Sequence, residues 1–135
     1  MLLNQTRPPL LLAHAPPLPE PIGGALDGDT PEACARRELR EEAGLDAHDL
    51  EEVACVWPNA STSTERVTLY LARYAKRDRV EAGGGLLEEA EHIRLREWPL
   101  AELWRMVEAR AVHDAKLLTL LQALKLRRPE LFGAA

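Results

Sequence analysis

Two cysteines in 135 residues, Cys34 and Cys55, are too few for a disulfide framework and show no CxxC or nearby Cys–His spacing. Both are expected as packed thiols in a reducing cytoplasm. Long apolar runs are also missing, and none approaches the roughly 18 residues that span a bilayer. The cluster Leu10-Leu11-Leu12 is short, broken by Pro16, Pro17 and Pro19, and lacks the basic start of a secretory signal. No basic stripe is present. With 17 Lys and Arg against 22 Asp and Glu, the net charge of −5 disfavours a nucleic-acid partner. The one basic run, Lys125 to Arg128, closes a helix, where cations suit the dipole. Internal repeats are absent, which excludes a solenoid. What remains is 46% hydrophobic and 29% charged, an ordinary balance for one globular domain over residues 1–135.

The pattern along the chain predicts its elements. Leu2 to Arg7 reads as a strand, Pro8-Pro9 break it, and Leu10 to His14 resume an extended run. Ala15 to Pro21 reads as an extended connection. Thr30-Pro31 suits an N-cap followed by proline at the first helical position, and Glu32 adds a first-turn acid. That helix runs to Ala43 and stops at Gly44, with Ala35, Leu39 and Ala43 as its packing stripe and its acids facing outward. Val53 to Trp57, Val67 to Tyr74 and Ile93 to Trp98 read as strands. Pro99 to Arg110 and Val112 to Arg128 read as amphipathic helices. This order predicts an α+β fold, a mixed β-sheet between helical layers in an α/β/α sandwich.

The chemistry concentrates between Gly23 and Leu45. Glu38, Glu41 and Glu42 stand at i, i+3 and i+4, so a helix places all three carboxylates on one face. Like charges so crowded call for a cation among them, and hard oxygen donors favour Mg²⁺ or Mn²⁺. The plainer alternative is a solvated face with i, i+4 pairing of Arg37 and Glu41, which leaves the adjoining glycine turn unexplained.

These residues resemble the box of the Nudix hydrolases: glycine, five residues, glutamate, seven residues, then Arg-Glu-U-x-Glu-Glu-x-Gly-U with U apolar. Gly23 is followed by five residues, Asp29, seven residues and Arg37-Glu38-Leu39-Arg40-Glu41-Glu42-Ala43-Gly44-Leu45. The single departure is Asp29, one methylene shorter than the usual glutamate. The resemblance implies the Nudix fold and metal held by Glu38, Glu41, Glu42 and the Ile22 carbonyl, with Gly23 and Gly24 giving the turn its freedom. A second acidic loop usually completes such sites. Here Gly83-Gly84-Gly85 leads to Glu88-Glu89-Ala90-Glu91, which implies Glu89 as the water-activating base and Glu91 as a further ligand. The catalytic set is then Glu89, Glu38 and Arg37, with Arg37 orienting the glutamates.

Flanking segments are similar to the ADP-ribose and GDP-mannose branch. Gln5-Thr6-Arg7 matches a Gln-x-Arg before the box, Trp57-Pro58 with Thr64-Glu65-Arg66 matches a proline-containing loop after it, and His113-Asp114-Ala115-Lys116 matches the C-terminal segment. Substrate contacts are thereby expected from Arg7, Glu65, Gly23 and Gly24. Arg7 as a plain surface arginine, and Glu65 as a loop acid paired with Arg66 or Arg73, stay open. Members of the branch usually carry several tens of residues before the point where this chain begins. A small N-terminal sheet that aids dimerisation and base recognition is therefore expected to be missing, and a homodimer stays open.

The expected activity is Mg²⁺-dependent hydrolysis of a nucleoside diphosphate sugar in the cytoplasm, ADP-ribose to AMP and ribose 5-phosphate first, GDP-mannose second. Nucleoside triphosphate hydrolysis and a non-catalytic nucleotide-binding domain are the alternatives. Neither a membrane nor a nucleic acid is expected as a partner.

Overall fold

Helix α1, Pro31–Ala43, begins and ends as its sequence dictates. Thr30 Oγ1 accepts from the Ala33 amide at 3.3 Å, which satisfies one of the free N–H groups of the first turn. Gly44 takes the left-handed conformation (φ 64°, ψ 27°) and donates to the Arg40 carbonyl at 2.9 Å. A side chain there would meet the Glu81 backbone, whose carbonyl carbon lies 2.6 Å from the Cβ position.

The computed structural model describes residues 2–5, 18–83 and 93–133. Its described strands are β1 (Leu2–Gln5), β2 (Leu18–Glu20), β3 (Leu50–Val56), β4 (Val67–Ala72) and β5 (Ile93–Arg96). Two further helices, α2 (Leu100–Glu108) and α3 (Ala115–Arg127), and short 3₁₀ turns at Lys76–Asp78 and Pro129–Phe132 complete an α+β chain. The run expected at Leu10–His14 lies outside the described residues. The chain divides into two compact units, Met1–Leu50 with Ala72–Glu97, and Glu51–Leu71 with Trp98–Ala135.

The first unit holds a sheet of order β2-β1-β5, both pairings antiparallel. Strand β2 corrects the expectation of a bare connection over Ala15–Pro21. Its Pro19 sits opposite Asn4, and as an edge strand β2 tolerates a residue with no N–H to give on its outer side. Beyond α1, residues 44–46 run antiparallel to 78–81. Leu45 bridges Arg79, the Val80 amide donates to the Gly44 carbonyl at 2.8 Å, and Asp46 donates to the Asp78 carbonyl at 2.8 Å. Cys34, Ala43, Leu45 and Ala47 are the buried apolar residues here.

The second unit holds the two-stranded β3-β4 sheet with α2 and α3. Leu69, Leu103, Leu117, Leu121 and Phe132 form its core. Trp104 and Phe132 meet edge to face at 5.6 Å, and the Lys125 ammonium lies 5.3 and 5.0 Å from the two rings. Helix α3 starts at Ala115 rather than Val112, because Asp114 caps it: Oδ1 accepts from the Leu117 amide at 2.7 Å. At its other end Arg127 and Arg128 converge on the two oxygens of Glu51, at 3.2 and 2.9 Å. Cys55 is exposed, correcting its expected packing. It takes an outward position on β3, with Arg66 Nη2 at 3.2 Å from its sulfur.

Candidate metal and phosphate site

The first unit folds the glycine turn back over α1. Between β2 and the helix, the Asp29 amide donates to the Leu26 carbonyl at 2.8 Å, closing a turn whose central residues Asp27 and Gly28 have φ of 49° and 94°. Aspartate and glycine are the residue types that accept such backbone.

Arg37 ties this turn to the acids. Its Nε donates to Asp29 Oδ2 (3.3 Å), Nη1 to Glu38 Oε1 (2.8 Å) and Glu41 Oε2 (3.1 Å), and Nη2 to the Ala25 carbonyl (2.9 Å). Burial works against its charge. The Asp29 hydrogen bond and the charges of Glu38 and Glu41 outweigh that and raise its pKa. Arg37 is thus cationic at every working pH, and its guanidinium joins Asp29, Glu38 and Glu41. Asp29, the shortened position, still reaches it.

The acids do not all face outward. Glu38 and Glu42 are only 7% and 1% exposed, which corrects the expected outward face. The physical cause is the turn above them. Glu42 Oε2 accepts from the Gly23 amide at 3.2 Å. A Cβ on Gly24 would overlap the Glu38 carboxylate, with Cδ at 2.5 Å, so only glycine lets the turn approach this closely. A Cβ on Gly23 would meet nothing within 4 Å, so its freedom is not sterically demanded.

Among the described residues, no three Asp, Glu, His or Cys side chains surround one point as a metal centre would. Glu38, Glu41 and Glu42 share a helix face, but Arg37 stands between the first two and the Gly23 amide holds the third. The Ile22–Gly23 peptide is trans, so the Ile22 carbonyl points away from the Glu42 oxygen that its N–H partner engages. Arg7, Glu89 and Glu91 lie outside the described residues. Glu65 belongs to the second unit, exposed in the loop between β3 and β4, its amide donating to Ser63 Oγ at 3.0 Å. Arg66 is not its partner there: it stacks on Trp57, 4.9 Å from the ring centroid.

One group escaped sequence reasoning, and Cys34, expected as a packed thiol, is found buried. Glu20 is buried at the end of β2, three residues before Gly23; an acid flanked by prolines ahead of a glycine turn was the available signal. Cys34 lies under the turn, its Sγ 3.2 Å from the Ala25 carbonyl and 3.7 Å from that of Gly24. Burial first, then the Glu38 charge, raises its pKa, so the thiol stays protonated.

The donor set of hard carboxylate oxygens beside a glycine turn suits Mg²⁺ or Mn²⁺. No helix among the described residues is long and apolar enough to cross a membrane.

The chain is similar to several known proteins. A GDP-mannose pyrophosphatase of Cronobacter sakazakii is 37% identical over 108 residues, covering 80% of this chain and 56% of that protein. Those of Citrobacter koseri and Klebsiella pneumoniae are each 34% identical, over 105 and 112 residues, covering 78% and 83% of this chain and 54% and 56% of theirs. The chain therefore spans about half the length of the curated relatives it matches. A family profile described as the NUDIX domain matches residues 1–121, a stretch that runs through both units. With that match over most of its length, the chain belongs to the Nudix family.

Proposed function

We propose that this chain hydrolyses the pyrophosphate bond of a nucleoside diphosphate sugar with the help of a divalent cation. The observation that carries the reading is the pair of buried carboxylates, Glu38 and Glu42, held under a glycine turn beside Arg37. Buried acids are costly unless something cationic or hydrogen-bonding compensates them. A stretch that keeps three on one helix face has a use for their charge.

Glu38, Glu41 and Glu42 would hold the ion, which supplies neutralisation of phosphate oxygens and a more acidic bound water. Arg37 fixes the Glu38 and Glu41 carboxylates. The glycine turn, anchored by Glu42 through Gly23, sets how closely the backbone approaches them. Glu89 is assigned as the base that takes the proton of the attacking water, and Glu91 as a further ligand. Water oxygen bonds to one phosphorus, the bridging P–O bond breaks, and a nucleoside monophosphate and a sugar phosphate leave.

GDP-mannose becomes the first substrate to test, ahead of ADP-ribose, because the similar proteins of Cronobacter sakazakii and Citrobacter koseri are GDP-mannose pyrophosphatases. In that case the products are GMP and mannose 1-phosphate. Gln5-Thr6-Arg7 favours ADP-ribose as the second.

The test separates products by ion exchange after incubation with Mg²⁺ and GDP-mannose, ADP-ribose, ADP-glucose or GTP, for wild type and Glu42→Gln. One diphosphate sugar should turn over, with loss of about a hundredfold or more in the variant. Tight binding of every compound without turnover would replace the reading by that of a nucleotide-binding domain. Pyrophosphate release from GTP alone would replace it by triphosphate hydrolysis.

A further inference from the structure

Residues 79–83, which lie well outside the box, close on the backbone of the last turn of α1, the turn that carries Glu41 and Glu42. The Val80 and Glu81 amides donate to the Gly44 carbonyl at 2.8 and 3.2 Å. Arg79 Nη1 donates to the Ala43 carbonyl at 3.3 Å, while its Nη2 reaches Glu97 Oε1 at 3.2 Å. These bonds satisfy carbonyls that a helix end leaves without intrahelical donors, and the guanidinium stands where the dipole favours a cation. Gly83 comes closer still. Its φ is 72°, and a Cβ there would lie 2.5 Å from the Glu42 carbonyl oxygen and 2.7 Å from Ala43 C. Both are backbone atoms, so neither can rotate away. The first glycine of the run 83–85 thus has a steric requirement of its own, separate from the acids that follow it in sequence.

We infer that Arg79 and Gly83 are positioning residues for Glu42, setting its backbone while the glycine turn sets its carboxylate. Glu42 is 1% exposed, and its Oε2 accepts from the Gly23 amide at 3.2 Å. A side chain held at its tip keeps one geometry only if its Cα is held too. Gly23 holds the tip, and Gly83 with Arg79 holds the main chain, so the carboxylate is fixed from both ends. A cation ligand needs that precision, because a site tolerates displacements of only about half an ångström. Glu41 is held differently. Its side chain is 28% exposed and pairs with Arg37 of the same helix at 3.1 Å. The closest approach of the 79–83 segment is to the Glu42 carbonyl, so its effect passes through Glu42.

The inference rests on the proposed role of Glu42 as a cation ligand, and its test reads the cation directly instead of turnover. Mn²⁺ is titrated into the metal-free full chain, and the free ion is measured by electron paramagnetic resonance. Glu42→Gln should lose most of the binding. Gly83→Ala should weaken it about tenfold and Arg79→Met about threefold, with Arg79→Lys close to wild type. The sign for Arg79→Met separates two explanations. Removing a positive charge near carboxylates would by itself tighten Mn²⁺ binding, so weakening reports a displaced ligand. Asp114→Ala, which loses the α3 cap in the second unit, should bind Mn²⁺ as wild type does. Circular dichroism shows which variants are folded at the titration temperature; if Gly83→Ala is not, the Arg79 variants decide. Wild-type affinity in folded Gly83→Ala, or binding as tight or tighter in Arg79→Met, overturns the inference. So does an equal loss in Asp114→Ala, since the effect would then be one of general stability. Wild type that takes up no Mn²⁺, or full retention in Glu42→Gln, overturns the proposed cation site as well. Binding that is lost in Glu42→Gln but unchanged in the Gly83 and Arg79 variants overturns this inference alone.

Discussion

Replacing Gly44 by alanine tests how the end of α1 is held. Two separate effects oppose a side chain at this position. The left-handed conformation at φ 64° disfavours a Cβ by about 1–2 kcal/mol. The Cβ would also collide with the Glu81 carbonyl, with its carbon 2.6 Å away and the Gly83 nitrogen at 3.0 Å. These are backbone atoms beside the 44–46/78–81 pairing, in which the Glu81 amide donates to the Gly44 carbonyl at 3.2 Å, so they cannot swing aside as a side chain would. Forcing such a contact costs about 1–3 kcal/mol more. Gly44→Ala should therefore lose about 2–5 kcal/mol, a large part of the 5–15 kcal/mol that typically stabilises a domain. Gly28→Ala supplies the control. Its φ is 94°, but a Cβ there meets nothing within 4 Å, so only the conformational part of the loss remains. Urea unfolding followed by circular dichroism gives both values from midpoint and slope. Gly83→Ala strikes the same interface from the other side, with Ala43 C at 2.7 Å and Gly44 N at 2.9 Å. The double variant should then lose less than the two single losses added. If Gly44→Ala loses no more than Gly28→Ala, the backbone-to-backbone contact is not what the position requires, and the reasoning fails.

Three further outcomes follow from the same geometry. Gly24→Ala pushes against the flexible end of Glu38, so stability should change by under about 1 kcal/mol while sugar-diphosphate hydrolysis falls about a hundredfold; Gly23→Ala, with open space around its Cβ, should keep most of the activity, and equal rates for the two would refute the crowding argument. The Cys34 thiol has its pKa raised above 9.0 by burial and the Glu38 charge, so the unfolded chain loses this proton first. Its contribution is complete below about pH 8.5 and is lost as pH rises toward the folded value; urea unfolding from pH 8 to 10.5 should show a shallower fall in Cys34→Ala than in wild type, and identical slopes would refute it. Asp114→Ala removes the α3 cap and should cost about 1–2 kcal/mol by urea unfolding, with Asp114→Asn closer to wild type; a loss within error of zero for the alanine would mean that the cap contributes nothing.

Helix α1 was legible because its signals are local: Thr30, Pro31 and Gly44 act within one turn of their own positions. Strand β2 was not. Prolines at 19 and 21 look like breaks, and only the pairing with β1, more than a dozen residues away, shows that an edge strand can accommodate one. Helical spacing placed Glu38, Glu41 and Glu42 on one face but could not say what covers that face. The burial of Glu38 and Glu42 follows from the turn at Gly23–Gly24 folding back, a contact spanning up to 19 residues. The same limit applies to Arg37, whose pairing with Glu41 follows from spacing, whereas its bonds to Asp29 and the Ala25 carbonyl need the turn. At α3 the apolar Val112 suggested a start three residues early. The capping geometry of Asp114 places it.

The two units are interleaved along the chain, and this bears on the order in which they can form during synthesis. The second unit is assembled from Glu51–Leu71 and Trp98–Ala135, with part of the first threaded between them. Glu51 meets Arg128 across 77 residues, and Phe132 belongs to the core. A ribosome that has released Leu71 has therefore delivered β3 and β4 without the helices that cover them. Leu69 on β4 waits through the synthesis of roughly sixty more residues, several seconds at usual elongation rates, before Phe132 completes the buried set of this unit.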